Sequence, residues 1–454
     1  MRVRFSPPAQ LHMNKSKDKK TDNFEIEGGY TLSGSISTNT SKNGSVGLLC
    51  ASLLNKGVTT LHGISRIEEV NRVIEALESI GVKVEWIGDQ SLKITPPTKI
   101  KIENLNRETA IRTRSIIMFA GPLIHRFESF KLPHAQGCKL GKRTVSAHIY
   151  GLEELGVKIK VTNENYEITN KKPKPANVVM YESGDTACEN IIMAASLIPG
   201  ITTIKFTSSN YMVQELCFFL QKIGIKIEGV GSTTLIIHGV KEINQNIEYH
   251  NSEDPIESMM WITAGIVTNS KLEIKRCPID FLELELYKLK KMGLKFNLSK
   301  IYKSKNERTN LADLIIYPSK LKALEDKIES RPYPGLNIDN LPFFGLIAAC
   351  AKGRTLIHDW VYENRAIYLT ELNRLGATVL LADPHRVYVE GPTSFKKAQV
   401  MCPPALRPSV VIMLAMLAAP GTSILRNVYM IHRGYEDIVK RLNKIGAKIK
   451  AIED

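Results

Sequence analysis

Apolar positions before Gly81 recur at helical spacing: Val70, Val73, Ile74, Leu77 and Ile80 fall on one face, with charged residues between them. After Gly81 the period changes to two, as in a half-buried strand. This predicts an amphipathic helix, a glycine in the left-handed C-cap conformation, and then a strand. The same phrase occurs six times: LESIGVKV from Leu77, LEELGVKI from Leu152, LQKIGIKI from Leu220, LKKMGLKF from Leu289, LNRLGATV from Leu372 and LNKIGAKI from Leu442. Its glycines stand at 81, 156, 224, 293, 376 and 446, at intervals of 75, 68, 69, 83 and 70 residues.

A second phrase lies upstream in each unit, a small-residue helix, a turn and a strand. It reads ASLLNKGVTTLHGI from Ala51, ASLIPGITTIKF from Ala195, AKGRTLIHDW from Ala351 and AMLAAPGTSIL from Ala415, with looser copies from Gly121 and Ala264. Helices this rich in Ala, Leu and Ile are expected to be buried nearly all round. Repetition at about 70 residues with mixed elements predicts an α/β protein of six repeats. The intervals are too long and mixed for a simple solenoid. Two domains of three units are the expected packing, divided near residue 250 where NQNIEYHNSEDP is polar and turn-rich. The expected partition is 1–21 as a disordered basic tail, 42–250 as one domain, and 22–41 with 251–454 as the second, with the active site between them.

Composition narrows the function. The 454 residues are 43% hydrophobic and 24% charged, an ordinary globular balance. The longest apolar run, Val410 to Ala419, ends at Pro420 and is far short of the ~20 residues of a bilayer span. Seven dispersed cysteines without a CxxC pair argue against a disulfide scaffold or a zinc ribbon. The tail carries six Lys and Arg and no signal-peptide core, which predicts a cytoplasmic protein; Met13 is a second candidate start. The net charge of +15 suits anionic substrates or nucleic acid. The densest basic cluster, seven lysines from Lys288 to Lys305, lacks interleaved stacking aromatics and reads as a solvated face.

Six α/β repeats in two domains resemble the enolpyruvyl transferase family, whose fold is a two-domain inside-out α/β barrel. Local motifs are most similar to the UDP-N-acetylglucosamine enolpyruvyl transferases, from about Tyr30 to the C-terminus. SKNGSVGLLCASLL from Ser41 resembles the early SGAKN segment, and this implies a phosphoenolpyruvate contact at Lys42 and a sugar-nucleotide contact at Asn43. RTRSIIMFAGPL from Arg112 places Arg114 on an arginine near the sugar nucleotide. GCKLGKRTVSAH from Gly137 resembles the lid loop, so Cys138 falls on its proton-donating cysteine, Arg143 on a phosphoenolpyruvate-binding arginine and His148 on the motif histidine. Basic neighbours Lys139, Lys142 and Arg143 would favour a thiolate there.

Within GDTACENIIMAASL, Glu189 and Asn190 look like the family's GATEN turn, although the residues before them differ and the glutamate-rich REPE segment is absent near SSNYMVQEL. In SEDPIESMMWITAG, Asp254 and Glu257 take acidic motif positions, but capping of a helix by an acid is the preferred reading. RPYPGLNIDNLPFF puts Asp339 where the family has the aspartate that deprotonates the sugar hydroxyl, and YENRAIYLTELNRLGA puts Arg365 on its arginine 26 residues later. ALRPSVVIML and HRGYEDIVKRL place Arg407 and Arg433 on anion-binding arginines. The family's aspartate two residues before Arg407 is Ala405 here.

The resemblance implies enolpyruvyl transfer from phosphoenolpyruvate to the 3′-hydroxyl of UDP-N-acetylglucosamine with release of phosphate, in peptidoglycan synthesis, and no metal or organic cofactor. Asp339, Cys138 and Lys42 would be catalytic; Asn43, Arg114, Arg143, Arg365, Arg407 and Arg433 would bind substrate. Two alternatives stay open, 5-enolpyruvylshikimate-3-phosphate synthase and a catalytically impaired nucleotide-sugar-binding paralogue. Charge alone leaves a nucleic-acid-binding protein as a third.

Overall fold

The computed structural model describes residues 22–134 and 145–453; the basic tail, Cys138 and Arg143 lie outside the described residues. The six phrase glycines all adopt positive φ, between 88° and 102°. A Cβ built on Gly156 meets no atom within 4 Å, so backbone conformation and not space demands glycine there. On the helix before Gly81, Val70, Val73, Leu77 and Ile80 are buried, as the spacing predicts. Fully burying a side chain of this size contributes about 1.5–3 kcal/mol.

The strands of the described residues form six sheets. In one, Thr59–His62 pairs in parallel with Ile247–His250 and antiparallel with Ser91–Thr95, which pairs antiparallel with Lys83–Gly88. Four more sheets have the same arrangement around Gly200–Lys205, Leu272–Pro278, Gly353–His358 and Gly421–Arg426. The sixth, Ser129–Pro133, Asn165–Asn170 and Val157–Val161, has no parallel strand among the described residues. Three sheets draw all their strands from residues 59–250. The other three draw theirs from residues 22–37 and from 272 onward. In one of these, Asp22–Gly28 lies between Gly421–Arg426 and Lys448–Glu453.

The small-residue helices form the core. Pro255–Val267, Leu341–Cys350 and Leu406–Ala418 pack on one another and are buried almost all round. Lys42–Ala51 packs on Tyr211–Lys222, which also contacts Asp185–Ser196. Among the described residues, no helix is long and apolar enough to cross a membrane. Six of the seven lysines between Lys288 and Lys305 are exposed, which fits a solvated face.

The chain passes between the two groups of sheets twice, and the two passages lie side by side. Ser41 N–H donates to Ser252 O at 2.7 Å, and Asp254 N–H donates to Asn39 O at 2.9 Å. Between these bonds Thr40 and Glu253 form an isolated antiparallel bridge. Asn251 Nδ2 adds bonds to Ser41 O, Ser45 Oγ and Gly63 O, at 2.8, 3.0 and 3.1 Å. Lys42 begins a helix directly from this seam.

Candidate active site

Ser41 starts that helix by accepting the Gly44 N–H at 2.9 Å, so Lys42 and Asn43 project from its first turn. Burial pushes the Lys42 ammonium pKa below the usual lysine value; Glu69 and Asp339 oppose this, while Arg407 and Arg433 add to it. Residues from four distant parts of the chain thus act on one ammonium group. Asn43 Nδ2 donates to the Tyr211 hydroxyl at 2.9 Å.

Asp339 precedes the helix Leu341–Cys350, and its N–H donates to Asn337 Oδ1 at 2.9 Å. Its carboxylate lies between two guanidinium groups. Arg407 approaches Oδ2 through Nε and Nη2 at 3.4 and 3.3 Å, and Arg365 approaches Oδ1 at 3.6 Å. The arginine side chains are 5% and 2% exposed, whereas Asp339 keeps 26%, so the carboxylate is the accessible member. Arg365 is held by Asp359, by a 2.7 Å bond to Ile338 O and by the Tyr362 ring 4.3 Å away. Arg407 donates to the Tyr435 hydroxyl at 2.7 Å. Burial alone would lower the Arg407 pKa, but Tyr435, Asp339 and Asp254 outweigh it and raise the value.

Glu69 is a second acid that acts on Lys42. It pairs with Arg433 and accepts from Thr113 Oγ1 at 2.7 Å. Burial raises its pKa, but Lys42 and Arg433 overcome that and hold it below the usual carboxylate value. Lys42 is thus within electrostatic reach of two ion pairs, Arg407 with Asp339 and Arg433 with Glu69. Such a set can hold a small polyanion next to a hydroxyl.

Arg114 stands apart from this group. It starts the short helix Arg114–Phe119, and its charge acts on Tyr166 and His148. The Tyr166 ring lies 4.4 Å from the His134 ring, tilted by 47°, so Arg114 acts on a group in contact with His134 and on His148. His148 is buried and contacts Asn190 Nδ2 at 3.1 Å and Thr186 Oγ1 at 3.4 Å. Burial, helped by Arg114, lowers its pKa to about 4, so the ring is neutral at pH 7.

The motif reading expects a turn at Glu189 and Asn190, whereas both lie inside the helix Asp185–Ser196. Asn190 is a structural residue there, accepting from Gly121 N at 2.7 Å and donating to Ile117 O at 3.1 Å. Glu189 Oε1 has no hydrogen-bond partner among the described residues, and burial raises its pKa well above the usual range. Asp254 is a helix cap, accepting from Ile256 N and Glu257 N at 2.8 and 3.3 Å. Glu257 pairs with Arg441 at 2.8 Å. Ala405 is fully buried where a capping side chain would begin the helix Leu406–Ala418.

Motif reading passes over Glu69, Tyr211, Asp359 and Tyr435. An available signal for Glu69 is an acid on the buried face of its helix with Val73 and Ala76. Tyr435 lies within HRGYE itself. Among the described residues, no group of three or more His, Cys, Asp or Glu side chains could hold a metal ion.

The sequence profile described as EPSP synthase (3-phosphoshikimate 1-carboxyvinyltransferase) matches residues 26–442. A UDP-N-acetylglucosamine 1-carboxyvinyltransferase of Treponema denticola is 34% identical over 439 residues, covering 95% of this chain and 99% of its own. One of Bradyrhizobium diazoefficiens is 32% identical over 439 residues, covering 95% and 98%. Among solved structures, the enolpyruvyl transferase NikO of Streptomyces tendae superposes with a TM-score of 0.82 at 22% identity, over 96% of this chain and all of that one. An EPSP synthase of Acinetobacter baumannii gives 0.73 at 17%, over 95% of this chain and all of its own.

Proposed function

The chain belongs to the EPSP synthase family of 1-carboxyvinyltransferases, and from that premise we propose that it moves the enolpyruvyl group of phosphoenolpyruvate to the 3′-hydroxyl of UDP-N-acetylglucosamine with release of phosphate. The enzyme is a transferase, and the reaction serves peptidoglycan precursor synthesis. The relatives at 32–34% identity support this acceptor over shikimate-3-phosphate. The observation that supports the site reading is that Asp339, Arg407 and Arg433 all act on the buried Lys42 ammonium, with Arg407 Nη2 3.3 Å from Asp339 Oδ2.

In this reading Lys42, Arg407 and Arg433, with Arg143 from the segment 135–144, bind the phosphate and carboxylate of phosphoenolpyruvate and offset charge that develops in the tetrahedral intermediate. Asn43 and Arg114 contact the sugar nucleotide, and Arg365 orients Asp339. Asp339 takes the proton of the acceptor hydroxyl, whose oxygen bonds to C2 of phosphoenolpyruvate as Cys138 gives a proton to C3. Loss of phosphate from C2 and of a proton from C3 then restores the enol ether. No metal or organic cofactor enters these steps. Holding two substrates together supplies much of the acceleration.

We read the architecture as a two-domain inside-out α/β barrel of six repeats, with 42–250 as one domain and 22–41 plus 251–454 as the other. The separation of the sheets into two sets supports it. The cytoplasm is the proposed compartment.

A second reading, a binding-only paralogue, is favoured by one observation, the buried Ala405 in place of an aspartate. Phosphate release from phosphoenolpyruvate separates the two. We expect release that needs UDP-N-acetylglucosamine and is abolished in Asp339→Ala. Release with shikimate-3-phosphate alone would reassign the acceptor. No release with either, together with thermal stabilisation by UDP-N-acetylglucosamine, would establish the second reading.

A further inference from the structure

Glu215 is an acid that the transfer chemistry leaves unused. It lies on the helix Tyr211–Lys222 and is 3% exposed. An unpaired buried carboxyl is costly, so its partners are informative. Oε1 accepts the Ser252 N–H at 3.0 Å, and Oε2 accepts from Asn306 Nδ2 at 3.0 Å. Ser252 belongs to the seam and accepts the Ser41 N–H through its own carbonyl. Asn306 comes from the opposite group of sheets. Its Oδ1 accepts the Arg308 and Thr309 N–H groups, each at 3.0 Å, so its amide is fixed in a tight turn. One carboxyl therefore joins three segments, and two hydrogen bonds separate it from the residue that starts the Lys42 helix.

We propose that Glu215 is a positioning residue for the transfer reaction, clamping the seam at Ser252 against the Asn306 turn so that Lys42 and Asn43 are held where the donor and acceptor bind. This rests on the substrate roles given above to Lys42 and Asn43. Ser41 hydrogen-bonds to the same Ser252 peptide carbonyl, so a seam released from Glu215 loosens the helix start without touching any anion-binding side chain.

The test is steady-state phosphate release with UDP-N-acetylglucosamine, with Tm measured in parallel, for wild type, Glu215→Gln, Asn306→Ala and the length swap Glu215→Asp with Asn306→Gln. Glutamine offers one acceptor oxygen and loses one of the two bonds; Asn306→Ala loses the other partner. Each single variant is expected to raise KM for phosphoenolpyruvate about five-fold, the equivalent of one hydrogen bond, with a smaller change in kcat. The swap keeps the combined reach of the two side chains and is expected to recover most of that KM. Single variants with lower Tm but wild-type KM would overturn the proposal and leave Glu215 a purely structural group. A swap no better than the single variants would overturn the Glu215–Asn306 clamp. A wild type that releases no phosphate would instead overturn the functional reading and this inference with it.

Discussion

Replacing Asp339 by Asn tests the site most directly, because it separates two effects that the geometry makes unequal. Asparagine keeps the size of the side chain and one acceptor oxygen, which can still bond to Arg407 or Arg365. It loses the charge and the ability to take a proton. The lost ion pairing is modest. The contacts to Arg407 and Arg365 are long, 3.3–3.6 Å, and the carboxylate is a quarter exposed, so the cost to stability is about 1 kcal/mol. In a chain of this size that lowers Tm by only a few degrees. A general base contributes about 10²–10⁴-fold, or roughly 3–5 kcal/mol of barrier. Kinetics should therefore fall far more than stability. The assay is phosphate release at saturating UDP-N-acetylglucosamine, with phosphoenolpyruvate binding followed by thermal shift. We expect kcat to drop at least 100-fold while the donor still stabilises the protein. A loss below ten-fold, or one matched by lost donor binding, would refute Asp339 as the base and leave it a spacer between two arginines.

Glu69→Gln removes the anion that supports Lys42 and pairs with Arg433. We expect KM for phosphoenolpyruvate to rise about ten-fold, and the alkaline limb of kcat/KM to move to lower pH, because the opposing effect of burial on Lys42 is then less restrained. An unchanged pH profile would remove Glu69 from the site. Gly156→Ala places a Cβ at φ 88° and should cost about 1–2 kcal/mol in chemical denaturation with kinetics unaltered. Burial raises the Glu215 pKa to about 8, against hydrogen bonds that favour its charged form. The folded state therefore holds a proton that the unfolded state has lost. This group's contribution is full below its ordinary carboxylate pKa and is lost as pH rises toward 8. The difference in unfolding free energy between wild type and Glu215→Gln should shrink from pH 5 to pH 8, and a constant difference would contradict the assignment.

The six glycine turns were legible because a left-handed C-cap is a local demand, set by one residue and its helix. The cap at Asp254 was legible for the same reason, since an acid before a proline at the start of an apolar run needs no distant partner. Asp339, Arg365 and Arg407 could be picked out only through motif resemblance. Nothing in their spacing says that two guanidinium groups flank one carboxylate. The pairing of Glu69 with Arg433 was not legible, because the two are 364 residues apart and only the packed structure joins them. The motif at Glu189 was recognisable, but its conformation was not. A run that resembles a turn continues as helix because its apolar neighbours Ile191, Ile192 and Met193 are all buried there.

The position of the strand Asp22–Gly28 has a consequence for biosynthesis. Both of its neighbours belong to the last part of the chain, close to four hundred residues later. On a ribosome this strand is made first and finds its partners last. The three sheets within residues 59–250 have all their strands out of the exit tunnel long before then. The early strand must meanwhile be kept from pairing with another nascent chain, a hazard for any strand with two open edges. Its sequence, DNFEIEG, interrupts the apolar positions Phe24 and Ile26 with three carboxylates, which makes premature association between nascent copies repulsive.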